Sequence, residues 1–258
     1  MVFPLRPFFP NLMVEYTVYG VVDKASRSLG SCVVRALSSV DYDSREFVGL
    51  VVSRRYSSIY AVLVAVMLTQ NTSDVNAFRA LEQLERVTGL DPRRIVGVGE
   101  EVVAKAIRVA GMYRQRAKRI VAAVKQLLEM FGDEADKICE LDGDSARRLL
   151  LSLPGVGLKT ADVVLLMYCR KPAFPVDTHI KRVCGRIGLG SSYEHISKTF
   201  LHILGDDVER LVDVHLKLIT VGRKYCRPNK PRCGECPLRV CCKYAKTKTT
   251  SNSKSKTA

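Results

Sequence analysis

From residue 56 onward, apolar side chains recur every three or four residues, the spacing that turns one face of a helix toward a core. Residues 56–68 (YSSIYAVLVAVML) are apolar nearly all round, which predicts a central helix buried on every side. Thr72, Ser73 and Asp74 are capping residues for a second helix running to about Glu85. Residues 100–110 and 115–131 carry the same period. Asp144 or Ser145 caps a helix ending near Leu151, and residues 159–169 (KTADVVLLMYC) form a largely buried one. Residues 178–187, 192–204 and 208–221 complete the set. Strand-like alternation is absent after residue 50, so the expected class is all-α. Residues 1 to about 50 are less legible, and 14–22 (VEYTVYGVV) fit either a short strand or the edge of a helical core. The tail, 246–258, holds only Lys, Thr, Ser, Asn and Ala, cannot bury apolar surface and is expected to be disordered.

The chain has 258 residues, 47% hydrophobic and 26% charged, enough for one large domain or two small ones and incompatible with wholesale disorder. Lys and Arg number 41 against 26 acids, a formal charge of +15 that attracts polyanions, nucleic acid first among them. The longest apolar run, 59–68, falls far short of the ~20 residues a membrane span needs. Pro4, Pro7 and Pro10 interrupt the hydrophobic N-terminus and no targeting signal is evident, so an intracellular protein with no membrane partner is expected. Nine cysteines, an odd total without a secretion signal, argue against a disulfide framework.

Four of those cysteines, Cys226, Cys233, Cys236 and Cys242, follow the spacing C-x6-C-x2-C-x5-C in a loop containing Pro and Gly. Thiolates at this density suit one soft metal centre, and the spacing alone leaves zinc and an iron–sulfur cluster both open. Cys241 is the spare neighbour. A second segment, 153–162 (LPGVGLKTAD), lies between two helical stretches. Pro154 ends the first, and Gly155 and Gly157 permit positive φ and close backbone approach. A lone GVG reads first as a tight turn. With Val156 and the following helix start, its N–H groups also make an anion site that a DNA phosphate fits. Lys159 opens that helix; by itself it reads first as a solvated surface lysine, although the dipole and partial burial there both favour the neutral, nucleophilic amine. Asp177, in 176–180 (VDTHI), reads by itself as a helix N-cap.

Residues 153–165 (LPGVGLKTADVVL) resemble LPGVGxKTAxxVL, and 176–180 resemble VDTHV, in the endonuclease III family of helix-hairpin-helix DNA glycosylases. The cysteine spacing resembles that family's 4Fe–4S loop, which favours the cluster over zinc. The resemblance spans about residues 55–242. It implies two helical lobes around a DNA cleft: a six-helix barrel over 52–171 carrying the hairpin, and an iron–sulfur lobe built from 26–51 and 172–245, with an extension at 1–25 and a tail at 246–258. It implies that Lys159 attacks C1′ of a damaged nucleoside, expels the base and forms a Schiff base that leads to β-elimination, with Asp177 assisting. Arg227, Lys230 and Arg232 would meet the DNA backbone. Gln70 in LTQNTSD, Met112 in GMY and His179 resemble elements that fill the gap left by an everted base. The implied partner is double-stranded DNA with a damaged base or abasic site, bound by a monomer. The expected activity is a bifunctional glycosylase/AP lyase on oxidised pyrimidines. An 8-oxoguanine or mismatch glycosylase is the alternative, and a non-catalytic DNA-binding or redox iron–sulfur module is the alternative of another class. Three positions depart from the family pattern: Leu158 where Arg is frequent, Asp162 where Asn is frequent, and Ser73 where Asp follows the glutamine by three, Asp74 standing one later.

Overall fold

The computed structural model describes residues 22–247, so most of the possible strand at 14–22 and the tail from 248 lie outside the described residues. Among the described residues there is no strand, and the helices follow the apolar periodicity closely. α1 (Lys24–Ala36) starts at Asp23, whose carboxylate accepts from the Ser26 amide, and α2 (Val48–Arg55) follows after two short 3-10 turns. α3 (Ile59–Leu68) is buried along its whole length. α4 (Asp74–Thr88) is capped by the Ser73 hydroxyl, so one of the three positions that depart from the resembled pattern performs the cap. α5 (Pro92–Ala106) breaks at Gly99, and residues 100–106 form its second half. α6 (Tyr113–Phe131) packs along α5.

α7 (Gly143–Ser152) is capped by Asp142 rather than by Asp144 or Ser145, because Asp142 is the residue whose carboxylate reaches back to the Ser145 amide at 2.9 Å. The helix expected over 159–169 is shorter. α8 (Leu158–Val163) gives way to a π-helical stretch, Val164–Tyr168. α9 (Thr178–Ile187), α10 (Tyr193–Leu204) and α11 (Val208–Lys224) begin at Asp177, Ser192 and Asp207. Lys246 and Thr247 close a further helical turn at 243–247, so disorder does not begin at 246: Ala245 is buried and anchors that turn.

One apolar core runs from Val33 to Ala245. α2, α4 and α6 surround α3, while α1 lies on α10 and on the 3-10 turn Pro237–Cys241, and α9 packs on α11. The last contact is close because residue 222 is glycine: a Cβ there would stand 2.7 Å from Cβ of His179. Polar ties join distant helices. Arg147 grips Asp162 with two hydrogen bonds of 2.7 and 2.9 Å while the Tyr193 hydroxyl donates to the same carboxylate at 2.6 Å. The Asp162 charge is thus paired inside the core rather than added to the hairpin.

Two disulfides correct the expectation drawn from cysteine parity. Cys32 on α1 is bonded to Cys241, and Cys139 to Cys169. An odd total does not exclude pairing, because the five remaining thiols are the four of the C-terminal loop and the buried Cys184.

Candidate functional site

A cavity of about 1160 Å³ opens between the hairpin, α4, α9 and α11, and Lys159, Asp177, His179, His215, Asp74 and Arg223 all line it. Lys159 is half-buried at the start of α8, and its Nζ donates to Thr69 Oγ1 at 3.3 Å. Burial pushes its pKa down; Asp177 and then Asp74 pull it back up, and Arg223 adds to the depression. Burial prevails, favouring the neutral amine. Asp177 caps α9, its Oδ1 accepting from the Ile180 amide at 2.8 Å, and the same carboxylate is the strongest charged neighbour of Lys159. The sequence reading as a cap and the reading as a partner of the lysine therefore meet in one side chain.

Sequence reasoning missed two cavity residues. His215 is buried on α11, and its Nδ1 lies 3.0 Å from the Pro175 carbonyl, so Nδ1 carries the proton and donates. Its ring meets Phe174 edge-on at 6.0 Å. The available signal was a lone histidine among the apolar positions of 211–221. Arg223 pairs with Asp74 from α4 and lies 5.0 Å over the Phe47 ring. The Asp74 shift noted in the sequence was half of that signal; nothing local pointed to its partner.

The hairpin residues converge with the two turns expected to fill a gap. Gly155 has φ +77, and a Cβ on it would stand 2.9 Å from both Cβ and Cδ of Arg119, so the exposed basic face of α6 lies against the turn. Val156 is buried, and Gly157 leads into α8. Gln70 does not project: its Nε2 donates to the Gly155 carbonyl at 3.0 Å and to Thr160 Oγ1 at 3.1 Å. The neighbouring Asn71 is exposed, with φ 52. Met112 is 59% exposed and has left-handed backbone, φ 46. An exposed methionine held in that region is strained, the kind of feature found at functional sites. His179 lines the cavity with its Nδ1 3.0 Å from Arg182 Nη2, and burial pushes its pKa down.

Cys226, Cys233, Cys236 and Cys242 are all free. Burial pushes the Cys236 thiol up to about 11, and Cys226, Cys242 and Cys233 add to the push. The Cys32–Cys241 bond removes the spare neighbour and leaves Cys242 to that group. Arg186 fixes the loop by donating to the Arg227 and Pro228 carbonyls at 2.6 and 2.8 Å. Arg227, Lys230 and Arg232 are exposed on it. Among the described residues, no three His, Cys, Asp or Glu side chains are gathered to hold a single metal ion.

Residues 64–204 match the model of the HhH-GPD superfamily base excision DNA repair protein. The chain belongs to this superfamily. Among its relatives, the endonuclease III of Sulfolobus acidocaldarius is 38% identical over 206 residues, 78% of this chain and 89% of that one. The endonuclease III of Escherichia coli K12 is 35% identical, covering 73% of this chain and 85% of the relative. The HhH-GPD fold is shared with a solved non-covalent endonuclease III–DNA complex at a TM-score of 0.70 and 26% identity, covering 87% of this chain and 98% of that one. No described helix is long and apolar enough to cross a membrane.

Proposed function

We propose that this base excision repair glycosylase is bifunctional, releasing oxidised pyrimidines of the thymine glycol type from duplex DNA and then cutting the strand. The observation that carries this reading is a desolvated Lys159 beside Asp177 in a cavity at the hairpin. The target carbon lies inside the duplex, so the nucleotide must be everted first. The N–H groups of Gly155 and Gly157 hold a backbone phosphate, with Arg119 beside them, while the buried Val156 closes the turn by donating its own N–H to the Leu153 carbonyl at 3.1 Å. Met112 enters the vacated stack as an apolar wedge, and Asn71 is the exposed side chain of the facing turn, with Gln70 bracing it against the hairpin. His179 lines the cavity mouth.

Lys159 Nζ forms a bond to C1′ as the glycosidic bond breaks, and the base leaves with that electron pair and a proton. Asp177 carries negative charge to the cationic sugar in a poorly solvated site, where such a charge acts strongly. Opening of the sugar gives an imine between Nζ and C1′, which acidifies C2′–H. Loss of that proton expels the 3′ phosphate, and water then frees the lysine.

The free thiols of Cys226, Cys233, Cys236 and Cys242 fit a 4Fe–4S cluster: the donors are soft, carried on one loop and not spent in disulfides. When bound, the cluster supplies a rigid structural centre. Arg227, Lys230 and Arg232 on the surrounding loop meet the phosphate backbone. In this reading 52–171 forms one lobe and 26–51 with 172–245 the other, and Lys159 and Asp177 face the DNA cleft from one lobe each. The enzyme acts as a monomer. The enzyme acts inside the cell, where its DNA substrate lies.

Duplexes bearing thymine glycol, dihydrouracil, uracil, 8-oxoguanine, mismatched thymine or a plain abasic site test the reading. Thymine glycol and dihydrouracil are expected to be cut, and borohydride is expected to trap a covalent adduct that Lys159→Gln abolishes together with base release. Cutting of the abasic site alone would reduce the protein to a lyase. Base release without an adduct would make it monofunctional.

A further inference from the structure

Arg116 lies on α6, one turn after Met112, and is only 6% exposed. No carboxylate pairs with it among the described residues; all of its hydrogen bonds end on backbone carbonyls. Nη1 donates to Met67 and Leu68 at 2.8 and 3.1 Å. Nη2 donates to Gln70 at 2.7 Å and to Ala110 at 3.3 Å, and Nε to Gly111 at 3.3 Å. Met67 and Leu68 end α3, so their carbonyls lie in the last turn, beyond the helix's regular ladder, and the negative end of its dipole faces the guanidinium. Gln70 belongs to one exposed turn, and Ala110 and Gly111 to the other. Both turns then pass through left-handed residues, Asn71 and Met112. Such residues persist only where the surroundings hold them.

The chain of contacts continues to the reacting group. Gln70 takes the Arg116 bond on its carbonyl and gives its side-chain amide to Gly155 and Thr160. Thr69, between Leu68 and Gln70, accepts from Lys159 Nζ. We propose that Arg116 is a positioning residue that joins the Gln70–Asn71 and Met112 turns into one rigid unit, so that filling the gap in the duplex and aligning Lys159 occur together. This rests on the gap-filling reading above and names the side chain that makes it cooperative. Lysine would keep the charge, but one ammonium cannot address five carbonyls spread over two turns.

The test uses the whole protein and a duplex containing a tetrahydrofuran abasic analogue opposite 2-aminopurine, whose emission reports stacking at the gap and needs no catalysis. Arg116→Lys is expected to reduce the emission change at saturating protein. It should also slow cutting of an abasic site in duplex DNA at least about tenfold more than in single-stranded DNA, where no gap exists. Equal slowing on both substrates would overturn the proposal. If Arg116→Lys fails to melt cooperatively, Gln70→Ala, Met112→Ala and the double variant read the coupling with Arg116 in place. A rigid unit makes the double variant about as defective as the worse single, whereas independent turns multiply their losses. Multiplied losses sink the coupling alone. No emission change with the unsubstituted protein sinks the gap-filling reading and the coupling with it.

Discussion

Asp177 holds a backbone amide and a charge relationship at once, and one substitution separates them. Asparagine is as good an N-cap as aspartate, so Asp177→Asn should change folding stability by no more than about 0.5 kcal/mol. It removes the anion that acts most strongly on Lys159, and base release should fall on the order of 10²–10³-fold, the loss typical of a missing electrostatic contact in such a site. A pH effect accompanies it. Asp177 raises the Lys159 pKa against burial, so its loss drives that pKa lower still. The amine must be neutral to attack, so the rate rises with pH through the Lys159 pKa, and the acid limb of the variant's profile should move to lower pH. Thermal melts and single-turnover rates across pH check both statements. A melting loss with a proportionate rate loss would leave Asp177 a cap and nothing more.

At the scale of elements, the hairpin is specified by local chemistry and sealed by a distant helix. Gly155 combines φ +77 with the closeness of Arg119. Gly155→Ala should therefore cost at least about 1 kcal/mol of stability, because alanine tolerates neither the dihedral nor the contact. Because the displaced turn loses its phosphate, the slope of log affinity against log salt should fall by roughly one. An unchanged slope would show that the hairpin holds no phosphate. The contrast between local and distant causes also explains what the sequence made legible. α3, α4 and α9 follow from periodicity and from the caps Ser73 and Asp177, all encoded within a few residues. The hairpin was readable because Pro154, Gly155 and Gly157 dictate their own backbone. Arg116 reads as one more base in the run from Arg114 to Arg119, since its acceptors at Met67, Leu68 and Gln70 lie more than 45 residues away. The motif gives Gln70 a gap-filling place and says nothing of Gly155, whose carbonyl captures its side chain. The π-helical turn after α8 and the left-handed Met112 come from packing, which periodicity does not record.

The whole molecule is bound by contacts that cross long stretches of chain. Cys32–Cys241 joins residues 209 apart and ties α1 to the loop of the four free thiols, while Asp74–Arg223 links α4 to α11 at the cavity and Tyr193–Asp162 links α10 to α8 in the core. A cross-link over so long a loop restricts the unfolded chain strongly, on the order of 2–4 kcal/mol. His215 makes a comparable contact with a pH dependence of its own, because it holds the Pro175 carbonyl just ahead of Asp177. Burial pushes its pKa from 6.5 down to about 4, with Lys159 adding to the shift and Asp177 opposing it. Above pH 6.5 the imidazole is neutral in both folded and unfolded chains and stability is independent of it. Below that, the unfolded chain takes a proton that the folded one refuses until about pH 4, so stability is lost as pH falls through this window. The full loss is about 3 kcal/mol, from roughly 1.4 kcal/mol per pH unit. His215→Asn keeps an N–H for Pro175 and does not titrate, so denaturant midpoints measured between pH 6.5 and pH 4 should fall less steeply in the variant than in the parent, while the two converge above pH 7 apart from a constant offset. Parallel curves throughout would mean that His215 titrates as it does in water, and that the wall behind Asp177 is open to solvent.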